Sequence, residues 1–188
     1  MYHHFTGNTL NRSEKIQKLV IDRLLNSKIP DSRRENSIAW ELKHSSSTIQ
    51  LAKILAEKRG LDPEFAGIIA ALHDISAIET GSYEKHATKG AEMARKILNE
   101  SGDFKEEEIK LISEAIANHS DKHIYSANKY VELAKDADML DCFLYDPDIY
   151  HEKPDEAKKE YFNRIIKIRK ELGLPENKFF KEQLKALE

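Results

Sequence analysis

The feature that most limits the fold of this chain is the helical spacing of apolar residues in almost every segment. The clearest segment is "LDPEFAGIIAALHD", where Asp62 is a typical N-cap and Pro63 is favoured at the first helical position. Its apolar residues follow the i, i+3, i+4 and i+7 pattern of one helix face: Phe65, Ile68, Ile69 and Leu72. Because the alternating pattern of a half-buried strand is almost absent, the sequence predicts an all-α fold.

About seven or eight helices are predicted, all in one domain that spans residues 1–188. The first helix is expected to start with Ser13 as its N-cap. The segments "SKIPDSRREN" and "SAIETGSYEK" are predicted to be loops. The predicted helices cover approximately residues 13–27, 46–59, 63–74, 86–102, 105–120, 128–145 and 154–173, with a short last helix around residues 179–184.

Charge and composition argue against several classes of protein. The net charge is −3, so electrostatics give no reason to expect nucleic acid or an anionic membrane as a partner. The longest apolar run, "FAGIIAAL", is far shorter than the roughly 20 residues of a membrane span. The N-terminal segment lacks the apolar stretch of a secretory signal, and the single cysteine, Cys142, cannot form a disulfide within the chain. We therefore expect a cytoplasmic protein.

Several titratable side chains lie on otherwise apolar helix faces or at the ends of buried helices. A buried carboxylate is costly unless it is paired or bound to a metal, and Asp74 has no basic partner at helical spacing. Asp136 and Asp138 are two residues apart, so only one of them is expected to face the core. We choose Asp138, which shares its face with Val131 and Ala134. Any single candidate could be an ordinary buried residue, but six on five segments favour a metal site. The six are His44, His73, Asp74, His86, His119 and Asp138.

The order of these residues resembles that of the HD superfamily of metal-dependent phosphohydrolases. The resemblance is carried by "ELKHSSSTIQLAKILAEKRGL", "AALHDIS", "EKHATKGAEMARKIL", "AIANHSD" and "LAKDADMLDCF". It covers about residues 40–145, and accessory helices are expected at both ends of the chain. In that family the first histidine opens a helix and the His-Asp pair ends the next one. The resemblance implies those positions for His44 and for His73 and Asp74, in an all-α helical bundle.

The resemblance also implies which residues form the site. The metal ligands would be His44, His73, Asp74 and Asp138 for a first ion, and His86 and His119, with Asp74 as a bridge, for a second. One or two divalent ions are therefore expected, with Mn, Fe, Co, Ni or Zn as the candidates. His73 and Asp74 are the residues that we expect to be essential for catalysis. Four lysines flank the ligands in the sequence and are candidates for binding the phosphate of a substrate: Lys43, Lys85, Lys89 and Lys122.

The predicted function is the hydrolysis of a phosphate ester or anhydride in a small, nucleotide-like substrate by metal-activated water. Two alternatives stay open: a nucleotide-sensing module that keeps a metal without turnover, and a di-iron oxygenase of the same superfamily. One departure is that Ser76 and Ala77 stand where a phosphodiesterase branch of the family reads glycine and lysine in "HDIGK". The spacing of residues does not encode the substrate, and a homodimer is a further open alternative.

Overall fold

The computed structural model of the chain describes residues 4–7 and 9–187, and its regular elements are helical. No β-strand is present in this part of the chain, which confirms the predicted all-α fold. Eight α-helices have nine or more residues, in agreement with the seven or eight predicted, and one more has six. In chain order they are α1 (Arg12–Leu25), α2 (Ile38–Arg59), α3 (Pro63–Leu72), α4 (Ile75–Thr80), α5 (His86–Ser101), α6 (Glu106–Ala117), α7 (Lys129–Tyr145), α8 (Asp155–Glu171) and α9 (Lys178–Ala186), with a 3₁₀ turn at Asp31–Arg33.

The six-residue helix α4 lies where the sequence predicts a loop. Ile75 and Ile78 are three residues apart and both are buried, so this short helix covers part of the core. It ends at Gly81, whose φ of 74° lies in the left-handed region that glycine adopts without strain. Six residues are too few to show the repeating pattern that identifies a longer helix, which explains the wrong prediction.

Helix α2 begins at Ile38, whereas the sequence analysis predicts a start near residue 46. The hydroxyl oxygen of Ser37 accepts a hydrogen bond of 3.1 Å from the backbone N–H of Trp40 and caps the helix there. His44 therefore lies in the second turn of α2 and does not open the helix. The position implied by the family resemblance was wrong in this detail, although His44 still faces the interior and is 3% exposed.

The N-caps of α1 and α3 give one wrong and one correct prediction. Asn11, and not Ser13, caps α1, because its side chain accepts a hydrogen bond from the backbone N–H of Glu14. The Glu14 carboxylate accepts the N–H of Asn11 in return, which completes a capping box. At α3 the predicted start is confirmed, since the Asp62 side chain accepts an N–H of the first turn and Pro63 is the first helical residue.

Helix α3 lies at the centre of the fold, as its apolar sequence predicts. It packs against α1, α2, α6 and α7, and residues 66–72 are all buried. Its ten residues are too few to span a bilayer, and no other helix in the described ranges could do so. Because the chain leaves α3 at His73 and Asp74, these two polar residues emerge in the interior, where each needs a partner.

Helix α7 is buried on every side over residues 133–143. It contacts α2, α3, α6 and α8, and its last turn is fixed by aromatic contacts. The ring of Phe143 lies 5.0 Å from that of Phe180 and 5.9 Å from that of Phe162, so α8 and α9 are packed against this end. Burial all round means that every charged residue in this stretch requires a specific partner.

Candidate metal centre

The six titratable residues selected from the sequence lie together in one buried cluster. Five of their side chains are only 1–8% exposed, and His86 is more open at 17%. The nitrogen and oxygen atoms form overlapping groups of three within 4.8 Å. The cluster combines His44 from α2, His73 and Asp74 from the junction of α3 and α4, His86 from the start of α5, His119 from the end of α6, and Asp138 from α7. Imidazole and carboxylate donors at these distances could hold a divalent transition metal.

Asp74 lies at the centre of the cluster, and its two carboxylate oxygens face different pairs of histidines. Oδ1 is 3.5 Å from Nε2 of His86 and 3.5 Å from Nε2 of His119. Oδ2 is 3.2 Å from Nε2 of His73 and 3.6 Å from Nε2 of His44. The two halves of the cluster therefore share one carboxylate, which is the arrangement that a ligand bridging two neighbouring ions requires.

The first pair, His44 and His73, presents two Nε2 atoms to each other at 3.1 Å. Nδ1 of His73 lies 2.6 Å from the carbonyl oxygen of Ala70, and Nδ1 of His44 lies 2.6 Å from Oδ2 of Asp141. A neutral imidazole has one N–H, and these acceptors favour its place on Nδ1 in both rings. Two Nε2 lone pairs then face each other, which is unfavourable unless a cation lies beside them.

The second pair, His86 and His119, repeats this arrangement with a separation of 3.2 Å between the Nε2 atoms. Nδ1 of His86 lies 2.9 Å from the carbonyl oxygen of Tyr83, and Nδ1 of His119 lies 2.7 Å from that of Ile116. All four histidines thus turn Nε2 inward while an acceptor outside the cluster fixes Nδ1. Metal-binding histidines are oriented in this way.

The electrostatics of the cluster call for a positive charge at its centre. Burial raises the pKa of Asp74, but the charge of His73 outweighs burial and holds that pKa well below its usual value. Burial lowers the pKa of His73, whereas the charge of Asp74 raises it to about 9. Burial lowers the pKa of His119. A proton on His73 or a bound cation would each supply the positive charge.

A divalent cation also fits the cluster by its unsatisfied atoms. The buried Oδ1 of Asp74 has no hydrogen-bond partner among the residues described, although an unpaired buried carboxylate oxygen is costly. The two Nε2···Nε2 contacts leave further lone pairs without donors. A metal ion would satisfy the oxygen and the nitrogens at once, so the donor set suits such an ion.

Asp138 adds a second carboxylate to the cluster. Its Oδ1 lies 3.5 Å from Nε2 of His44, and its Oδ2 lies 2.6 Å from Nζ of Lys122. Burial would raise the pKa of Asp138, but the charges of Lys122 and His73 hold it far below its usual value. Asp138 is therefore ionised and available as a ligand.

The prediction that Asp136 would face away from the core was wrong, because Asp136 is only 6% exposed and Asp138 only 5%. The guanidinium groups of Arg59 and Arg164 lie 2.7 and 2.6 Å from the carboxylate oxygens of Asp136 and compensate its charge. Since α7 is surrounded by other elements, two residues on opposite sides of it can both be buried. Asp136 nevertheless belongs to a separate charge network and not to the metal cluster.

The four candidate lysines fall into two groups. Lys122 pairs with a carboxylate of the cluster, and Lys43 lies 2.9 Å from Oδ1 of Asp141, just outside it. Lys85 and Lys89 are exposed at the start of α5, and their side chains have no hydrogen-bond or ion-pair partner within the described ranges. Lys122 is thus the lysine that lies closest to the candidate ligands.

The sequence analysis did not identify Asp141, whose carboxylate lies on the outer side of His44. Its Oδ2 is 2.6 Å from Nδ1 of His44, and burial, which would raise the pKa of Asp141, is outweighed by hydrogen bonds from His44, Ser47 and Lys43 that lower it. A signal was available in the sequence, because Asp138 and Asp141 are three residues apart on α7 and share a face.

Glu41 and Tyr83 were also missed. The hydroxyl of Tyr83 lies 3.1 and 3.2 Å from the two carboxylate oxygens of Glu41, and 3.2 Å from Oδ2 of Asp74. Burial and the charge of Asp74 raise the pKa of Glu41 to about 7, although the hydrogen bond from Tyr83 acts to lower it. Glu41 precedes His44 by three residues on α2, which is the spacing that could have identified it.

One protein family matches the part of the chain that contains this cluster. A family model described as HD domain matches residues 42–142, more than half of the 188-residue chain. No curated protein and no solved structure matches the chain. All six candidate ligands lie within the matched range, whereas α1, α8 and α9 lie outside it.

Proposed function

This chain belongs to the HD-domain family, and from that membership we propose that it is a metal-dependent phosphohydrolase. We further propose a phosphate ester or anhydride of a small, nucleotide-like compound as its substrate. The observation that carries the proposal is the position of Asp74, with one carboxylate oxygen toward His44 and His73 and the other toward His86 and His119. A shared carboxylate between two sets of imidazoles is suited to the two neighbouring ions used by many phosphate-cleaving enzymes.

We assign the ligands of each ion by their distances. The first ion would be held by His44, His73, Asp74 and Asp138, and the second by His86, His119 and the other oxygen of Asp74. Mixed nitrogen and oxygen donors suit Mn, Fe, Co, Ni or Zn. When bound, such a metal lowers the pKa of a water molecule toward neutrality and polarises a phosphoryl oxygen.

The residues of the chain contribute orientation, charge and exclusion of water. Asp74 joins the two halves of the cluster, and the Tyr83 hydroxyl donates to its Oδ2 and helps to fix it. The oxygen atoms that accept the Nδ1–H of each histidine keep its imidazole in one orientation. The side chains therefore need little rearrangement when a metal ion binds. Burial strengthens every charge interaction in the cluster because bulk water is largely excluded. Lys122 places a positive charge beside Asp138, where it would attract the phosphate of a substrate.

The open side of the cluster lies at His86, the most exposed of the six side chains. Lys85 precedes His86 directly, and Lys89 follows it by three residues on the same helical face. Both ammonium groups are exposed to solvent, and in this proposal they attract an incoming phosphate before it reaches Lys122. This gives the four lysines different roles, with Lys43 holding Asp141 and thereby the ring of His44.

The experiment that tests the proposal is phosphate and nucleoside release from a panel of nucleotides and phosphodiesters by Mn²⁺-loaded protein. We expect turnover of at least one substrate, and a loss of more than about 100-fold in Asp74→Asn, which keeps the shape of the side chain but removes its charge. Asp103→Asn is the matched control, because Asp103 lies on the surface and its carboxylate forms an ion pair with the exposed Lys15. Equal turnover in Asp74→Asn and the wild type would refute the proposal. Tight nucleotide binding without turnover would favour the sensing alternative.

A further inference from the structure

The loop between α6 and α7, residues 118–128, brings Lys122 to the cluster. Lys122 is 8% exposed, and its Nζ lies 2.6 Å from Oδ2 of Asp138. The neighbouring side chains of Ile124 and Tyr125 are 54% and 49% exposed, so they anchor the loop only in part. Contacts made by the backbone of the loop therefore contribute to the position of Lys122.

Arg164 of α8 makes one of these contacts. Its side chain is 2% exposed, and its Nε donates to the carbonyl oxygen of Lys122 at 2.8 Å. The guanidinium carbon also lies 4.3 Å from the ring centroid of Tyr125. On its other side, Nη1 donates to Asp136 at 2.6 Å and to Glu132 at 2.8 Å, which compensates the buried charge. Held by two carboxylates, the planar guanidinium presents its Nε–H to the loop in one fixed direction.

Lys135 of α7 makes a second contact with the same loop. It is 2% exposed, and its Nζ donates to the carbonyl oxygen of Ile124 at 2.7 Å. Its nearest carboxylate, that of Glu132, is 3.7 Å away. A methionine would fill similar space without the cost of burying an ammonium group. Arg164 and Lys135 are thus two buried cations that bind the carbonyl oxygens of Lys122 and Ile124. Because burying a cation is costly, their presence indicates that this loop is held in an ordered conformation.

We propose that Arg164 is a positioning residue of the active site, which holds the 118–128 loop so that Lys122 meets Asp138 and the phosphate of the substrate. The inference rests on the proposed function, since that function assigns Lys122 to the phosphate. Arg164 acts through the backbone of the loop, at the carbonyl oxygen of Lys122. The active site thereby extends to α8, outside the residues 42–142 that match the family.

Hydrogen exchange tests the loop whether or not the protein turns over a substrate. Arg164→Lys keeps a positive charge beside Asp136, but an ammonium cannot reproduce the fork of donors that also reaches the Lys122 carbonyl. We expect the amides of residues 118–128 to exchange about tenfold faster in this variant, the equivalent of one lost charge-assisted hydrogen bond. The amides of α3 should keep their wild-type rates, because the core is untouched.

Two further variants make the exchange result decisive. Arg169→Lys is the matched control, since Arg169 lies on the same helix and donates to the carbonyl of Pro175, away from the loop. It should leave exchange in residues 118–128 unchanged. Lys135→Met removes the second contact and should also accelerate exchange there, even if Arg164→Lys does not fold. Unchanged loop exchange in the variants that fold, or an equal acceleration in α3, would overturn the inference.

Steady-state kinetics separate positioning from a general loss of stability. We expect Lys122→Met to raise KM about tenfold, and Arg164→Lys to raise KM in the same direction. The double variant should show no more than the effect of Lys122→Met alone, because both changes act through one ammonium group. Increases in KM that multiply in the double variant would contradict positioning. A wild type that cleaves no substrate, combined with faster loop exchange in Arg164→Lys, would overturn the proposed function while supporting the role of Arg164 in ordering the loop.

Discussion

Nε2 of His44 lies 3.1 Å from Nε2 of His73, and an acceptor already faces the Nδ1 atom of each ring. Two neutral imidazoles cannot form a hydrogen bond through these nitrogens, because both N–H groups are used on the outside. The contact therefore requires an extra proton or a metal ion. Burial lowers the pKa of His73, but the charge of Asp74 raises it to about 9. The raised pKa favours a proton on His73 when no metal ion is bound.

Metal ions should stabilise the folded protein, because they bind to a cluster that exists only after folding. A free metal concentration of about 100 times the dissociation constant is expected to add about 2.7 kcal/mol to the free energy of unfolding. For a chain of this size, that corresponds to an increase of roughly 5–10 °C in melting temperature. The measurement is thermal unfolding of chelator-treated protein with and without Mn²⁺ or Zn²⁺. His44→Gln should lose most of the shift, whereas His151→Gln, a change at an exposed histidine, should keep it. A melting temperature that does not respond to metal would contradict the assignment.

The two oxygens of Asp74 predict two ions per chain, which can be separated by mutation. His119→Gln removes a donor that lies 3.5 Å from Oδ1 of Asp74 but leaves the first set of ligands intact. We expect about two metal equivalents in the wild type and about one in His119→Gln, measured by elemental analysis after dialysis. One equivalent in both proteins would mean that the cluster binds a single ion.

The fold was predictable where helices are long enough to show their period. The apolar face of α3 and the caps at its start are local properties, and both are found as expected. The predicted start of α2, near Ser46, lies in a run of three serines, and serine is a common N-cap residue. In the structure the hydroxyl of Ser47 donates to the carbonyl oxygen of Lys43 inside the helix, at 2.6 Å. A serine can satisfy its hydroxyl in either way, and the local sequence does not separate the two.

Helical periodicity placed the six candidate ligands on inward faces or at the ends of buried helices, and the resemblance to the HD superfamily implied that they converge. Contacts that support them were harder to predict. Tyr83 and Glu41 are 42 residues apart, and Arg164 and Lys122 are also 42 apart, so only tertiary packing decides that they meet. A pattern read within one helix can assign a face to a residue, but it cannot identify a partner on another helix.

Asp141 should influence metal binding although it faces away from the ions. Its Oδ2 receives the Nδ1–H of His44 at 2.6 Å, and Asp141→Asn would weaken that hydrogen bond and allow the imidazole to turn. We expect metal affinity to fall by about 10–100-fold, as is typical when such an outer acceptor is lost. Titration calorimetry with Mn²⁺ would measure the change, with Asp103→Asn as the surface control. An affinity equal to that of the wild type would show that the ring is held by its packing alone.

Glu171 should make the stability of the protein depend on pH in the acid range. Its carboxylate accepts two hydrogen bonds of 2.8 Å from Arg59, and these hold the pKa of Glu171 below its usual 4.5. A lowered pKa in the folded state stabilises the fold fully above about pH 4.5, and this contribution is lost as the pH falls through the folded pKa. Glu171→Gln should therefore be less stable than the wild type at about pH 7, and the difference should shrink at about pH 3.5. Urea unfolding at both pH values measures the free energy of unfolding, and Glu100→Gln, at an exposed pair with Lys96, serves as the control. A difference that stays constant between the two pH values would mean that Arg59 and Glu171 interact through packing and not through charge.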